Sequence, residues 1–200
     1  MTRSLALACL CLLVASAVAG ARQAAPSTSP ATLPGAGETP AQGLKAYNAA
    51  IRAQDSDAML SRIYVASANE DRLAKAMVRT DVCMGRLLKA TREKFGDAGL
   101  KKMAAAVGDA NDQDIDASPV TIDGDHAVIK LPVGGYSMVR DGGQWKIDAS
   151  ALLLESREPP AEAADRVAQL GSRAQVLADA IDAGKFKSVD DVIQKFKTPG

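Results

Sequence analysis

The sequence predicts an α+β fold: helices first, an antiparallel sheet second, a helical extension last. Three observations predict it. Asp116 to Ala149 is the one stretch that reads as a β-meander, with Asp123-Gly124 and Asp141-Gly142 set between runs of β-formers. Before it, between Thr39 and Gly108, apolar residues recur every three or four positions. After Pro159-Pro160 the helical period returns and holds nearly to the end of the chain. A half-apolar sheet needs a cover, and the flanking helices can supply one.

The chain has 200 residues, 47% hydrophobic, with 24 basic against 24 acidic side chains. That is globular composition, and without a basic excess or block it gives no footprint for nucleic acid. The first 19 residues read as a secretory signal peptide: Arg3, an apolar run from Leu5 to Ala15, then the small-x-small site Ala17-Val18-Ala19. The run is too short to span a bilayer, so no membrane anchor is expected after cleavage. The protein is expected to be exported, to a periplasm or the medium. Cys9 and Cys11 would leave with the signal, and Cys83 alone cannot form an internal disulfide. Residues 20–38, rich in Pro, Ala, Ser, Thr and Gly, read as a disordered linker.

Thr39-Pro40-Ala41-Gln42 fits an N-cap, a proline at N1 and a glutamine at N3. Leu44, Tyr47 and Ile51 then mark a helix to about Ala53. Asp55-Ser56-Asp57 starts a second helix, with Met59, Leu60, Ile63 and Tyr64 as its apolar residues. A third, from Asn69, carries Leu73, Ala76, Met77, Thr80, Cys83, Met84, Leu87 and Leu88. Gly96 is its expected left-handed end, and Asp97 caps a fourth that runs to Gly108.

In the meander, two-residue loops at Asp123-Gly124 and Asp141-Gly142 fix the faces. Val120, Ile122, Ala127, Ile129 and Leu131 share one face, and Thr121, His126, Val128 and Lys130 the other. Tyr136 and Met138 fall with Trp145 and Ile147. Leu152 to Leu154 is apolar, without an assigned element. A helix over about 161–183 presents Val167, Leu170, Ala174, Leu177 and Ile181 as a narrow seam, which folds back or pairs with another chain. Ser188 caps a last helix with Asp191 at N3.

The stretch TPAQGLKAYNAAIRAQDSDAML resembles the opening of nuclear transport factor 2-like (ketosteroid-isomerase-like, cystatin-like) domains. Those domains also start with a proline-led helix carrying an aliphatic and an aromatic residue one turn apart, here Leu44 and Tyr47. A small-aliphatic pair (Ala50-Ile51) and an Asp-rich turn follow, and the patterns GDHAVI and DGGQWKID are similar to their later strands. The likeness covers about residues 39–150. It implies a cone: N-terminal helices packed on a curved antiparallel sheet, with a cavity at the open end. The domain is expected over 39–157 and a helical extension over 158–200. Fold alone does not give function.

Candidate chemistry is sparse. His126 is the only histidine and sits on the wetter face. Asp112, Asp114, Asp116 and Asp123 copy part of a calcium-loop spacing, but Ala117 stands where that loop needs glycine and its last ligand is a short Asp. They read as a solvated acidic connection. No catalytic residue, metal or cofactor is expected. The expectation is a non-catalytic binding domain, monomer or homodimer, that takes a small apolar ligand or a protein segment. Its cavity candidates are Tyr47, Tyr64, Tyr136, Met138 and Trp145. The alternative is an isomerase- or hydrolase-like enzyme, which needs a buried carboxylate facing a tyrosine.

Overall fold

A computed structural model describes residues 37–108, 112–131, 134–156 and 159–198; the signal peptide and nearly all of the linker read from the sequence lie outside them. The described residues form an α+β structure with a five-stranded mixed sheet, ordered β1-β5-β4-β3-β2. The strands are β1 (Ile63–Tyr64), β2 (Val120–Asp123), β3 (His126–Leu131), β4 (Gly134–Asp141) and β5 (Gln144–Asp148). Neighbours are antiparallel except β1, which runs parallel to β5. No described helix is long and apolar enough to cross a membrane.

Helix α1 (Pro40–Ala53) starts at the expected capping box: the Gln42 amide donates to Thr39 Oγ1 at 3.2 Å, and the Thr39 amide to Gln42 Oε1 at 2.8 Å. Glu38, assigned to the linker by composition, is held to the fold. Its carboxylate accepts from Arg62 at 2.6 Å and from the Trp145 amide at 2.8 Å. It thus satisfies part of the β5 edge that the two-residue β1 leaves uncovered. Gly43 lies against β5 so closely that a Cβ would sit 2.5 Å from the Trp145 carbonyl oxygen.

Helix α2 (Ser56–Ser61) is shorter than its periodicity predicts. Ile63 and Tyr64 leave it to form β1, paired with Ile147 and Asp148. The Ile147 amide donates to the Arg62 carbonyl at 2.8 Å, so the sheet satisfies backbone groups that a further helical turn would have satisfied internally. Helix α3 (Ala68–Val107) begins at a Ser67 cap, slightly before the expected Asn69. The two helices expected over this stretch are its two arms, joined at Gly96, where φ is 71°. Gly108 ends it, also left-handed.

Both hairpins keep the predicted faces, but each loop falls one residue later than expected. Asp123 pairs with His126 and Asp141 with Gln144, so the loops are Gly124-Asp125 and Gly142-Gly143. Only Gly124 of the first loop has positive φ, whereas both glycines of the second do. These are the demands of II′- and I′-type loops respectively. The shift moves every partner by two residues, which preserves the side-chain parity.

The acidic stretch forms a short helix, α4 (Asp112–Ala117), rather than a loop. Helix α5 (Ala149–Ser156) occupies the apolar run left unassigned, and its Leu153 packs near Leu73, Ala164 and Val167. Helices α6 (Pro160–Asp182) and α7 (Val189–Lys197) fold back along α3. Gly171 makes the close approach possible, since a Cβ there would lie 2.8 Å from Thr80 Oγ1. The Thr80 hydroxyl donates to the Val167 carbonyl at 2.8 Å across the same contact.

Two main cores result. One lies between the sheet and α1, α2 and the first arm of α3, and contains Leu44, Met59, Ile129 and Ile147. The other joins Leu87, Met103 and Val107 of α3 to Ala174, Leu177 and Ile181 of α6 and to Val192 and Phe196 of α7. The seam residues Val167, Ala174, Leu177 and Ile181 are buried against their own chain.

Candidate functional site

The residues expected to line a cavity divide. Tyr47, Met138 and Trp145 meet in the first core at 2%, 1% and 1% exposure, with Tyr136 half-buried against them. They belong to the packed core between the sheet and the helices. Tyr64 is not brought to them. It pairs with Asp148, while its neighbour Ile63 pairs with Ile147 on the core face, so successive side chains put Tyr64 on the opposite face. Arg140 lies over the Trp145 ring, its guanidinium 5.2 Å from the ring centre.

The polar centre of this core is a pair that sequence reading finds only in half. The Tyr47 hydroxyl, from α1, donates to Asp81 Oδ2, from α3, at 2.5 Å. Burial pushes the Tyr47 phenol well above the usual tyrosine range; the Asp81 charge and hydrogen bond add to the shift, and Tyr136 adds further. Tyr47 is therefore a neutral, committed donor. Asp81 comes from the helical side, where the sequence predicts no acid. Its signal is visible in hindsight: it falls three residues after Val78, four after Met77 and seven after Ala74, so an acid sits on that apolar stripe.

A carboxylate facing a tyrosine is the pairing an enolising enzyme would need. Here the two bond directly to each other, and the aromatic and aliphatic side chains around Tyr47 are packed shut. Two open surface dishes lie elsewhere. One, of about 280 Å³, is lined by Phe186, Asp191, Gln194, Lys195 and Thr198. The other, of about 330 Å³, is lined by Glu162, Asp165, Arg166 and Gln169. Neither has the apolar enclosure of a small-molecule pocket.

Among the described residues no group of three or more His, Cys, Asp or Glu could hold a metal. On α4, Asp114 stands two positions from Asp112 and Asp116 and so faces away from both, while Asp112 and Asp116, four apart on one side, are each paired with a basic side chain. Arg52 reaches Asp112 through both Nη atoms at 3.2 and 3.1 Å, and Lys45 pairs with Asp116. Cys83 is a free, half-buried thiol packed against the second core.

Apolar surface remains exposed at the far edge of the sheet. Every residue of β2 is exposed, Ile122 at 57% and Val120 at 39%, although both share a face with the buried Ile129 and Ala127. The predicted face is right; the helices do not reach far enough to cover its last strand. No family model, curated protein or solved structure matches this chain.

Proposed function

We propose that this chain is an exported, non-catalytic interaction domain of nuclear transport factor 2-like, cone-shaped type, whose partner is a protein segment rather than a small apolar ligand. The observation that carries this reading is the contrast between a filled core and an open edge. Tyr47, Met138 and Trp145 are buried in the core, while Val120 and Ile122 stay in water. The β2 edge thereby combines apolar side chains with strand backbone, the two things that strand addition uses.

Trp145 is the only tryptophan and lies in that core. Its emission therefore tests the reading. Titration with steroids, fatty acids and a naphthalene-sulfonate dye is expected to leave it unmoved. A saturable shift at stoichiometric ligand would replace the interaction domain with a ligand carrier.

A second reading, an isomerase- or hydrolase-like enzyme, is favoured by one observation, the Tyr47–Asp81 pair. It requires the pair to separate around a substrate. An activity lost on Asp81→Asn with folding intact would favour it.

A further inference from the structure

The open edge of β2 is self-complementary, and we infer that its partner is a second copy of this chain, paired antiparallel through β2. This inference rests on the interaction reading above. It starts from which backbone groups are free. The Lys130 amide donates to the Pro119 carbonyl at 3.0 Å, and 119 and 130 fit the same register as Thr121 with Val128 and Asp123 with His126. In an antiparallel ladder bonded and non-bonded pairs alternate. Positions 119, 121 and 123 therefore turn their backbone groups toward β3. Val120 and Ile122 turn theirs outward, each with one N–H and one C=O.

A symmetric partner can use all of them in one register. With Thr121 on the two-fold axis, Val120 faces Ile122 of the second copy and Ile122 faces its Val120. Both are bonded pairs, which gives four N–H···O=C bonds. The four apolar side chains then form one continuous strip on the face that already carries Ile129 and Ala127. The neighbouring symmetric registers do worse: one sets Ile122 against Ser118, the other sets Val120 against Gly124.

Charge and proline agree with the same register. Asp123 is the only charged residue of β2. It falls opposite Pro119 of the second copy, at a non-bonded position where the missing N–H costs nothing. The two Asp123 carboxylates then stand four residues apart along the strands, about 14 Å at the usual rise, and beyond the roughly 8 Å Debye length of physiological salt. A four-residue strand buries less than the roughly 800 Å² per partner of a standard stable interface, so the pairing is reversible and grows with concentration.

The full chain is examined by sedimentation up to millimolar concentration, as wild type and as Ile122→Lys. Mild oxidation of Thr121→Cys, followed by peptide mapping, then locates the contact. Cα atoms of a non-bonded antiparallel pair lie about 4.5 Å apart, within disulfide reach. The expected results are a concentration-dependent dimer, its loss in Ile122→Lys with the circular dichroism unchanged, and a 121–121 disulfide. Asp123→Cys, off the axis, is expected to give no 123–123 link. A chain that stays monomeric and forms no 121–121 link overturns the pairing, as does a dimer unaffected by Ile122→Lys. If Trp145 is still unmoved by apolar ligands, the interaction reading survives that failure.

Discussion

The Tyr47 hydroxyl, on α1, donates a hydrogen bond to Asp81, on α3, at the border of a largely apolar core. Tyr47→Phe removes one donor from a carboxylate that is partly buried. The expected loss is about 1–2 kcal/mol, read as a lower urea midpoint at unchanged slope. The pH dependence has a definite sign. A phenol raised in the folded state contributes fully below the ordinary tyrosine value of about 10. Above it the unfolded chain ionises first, and the contribution is lost as pH rises toward the folded value. Stability of the wild type is therefore expected to fall more steeply than that of Tyr47→Phe between about pH 9 and about pH 11, and equal slopes would contradict the assignment. Half of this pair was legible in the sequence. Tyr47 stands out as an aromatic at a core position, whereas Asp81 looks like any helical acid until its neighbours three and seven residues back, Val78 and Ala74, are seen to be buried.

At the scale of elements, two glycines set the distances. Gly43 lets α1 lie on β5, and Gly171 lets α6 lie on α3. A methyl group at either position meets backbone as well as side chain, so Gly43→Ala and Gly171→Ala are each expected to cost about 1–3 kcal/mol. Gly171→Ala should act chiefly through the lost Thr80–Val167 bond and the opened helix contact, and hydrogen exchange along α6 reads this directly. A neutral result at either position would mean that the neighbouring element gives way freely. The helices and the meander were legible because amphipathic period and Asp-Gly turns are local signals. The turn position was not fully so: Asp-Gly marks a hairpin, but ladder register decides which two residues form its loop, and here it chose Gly124-Asp125 and Gly142-Gly143. The strand Ile63–Tyr64 was not legible at all. Two residues have no period of their own, and only the distant β5 makes them a strand. Helix α5 was missed because its apolar run carries no stripe.

At the scale of the whole molecule, the C-terminal helices share a core with α3. Leu87, Met103 and Val107 are covered by Ala174, Leu177, Ile181, Val192 and Phe196. A chain ending after residue 158 would expose that apolar face. It is expected to lose the near-ultraviolet signal of Trp145 and to unfold without a sharp urea transition; retention of the full-length midpoint would show that the two cores are independent. That the extension folds back was only one of two options in its seam, because a stripe does not say which surface it will meet. The filled interior of the sheet was not legible either. A tyrosine, a methionine and a tryptophan on one face suit a lined cavity and a packed core equally well, because the face of a strand does not say how closely its cover will sit.

The claim that this is an interaction domain with a filled core is tested most directly by native mass spectrometry of the protein purified gently from its own source. The predicted spectrum contains the polypeptide alone, as a dimer, or with another polypeptide. A small molecule retained at one per chain would contradict the account, because Tyr47, Met138 and Trp145 would then have to open around it.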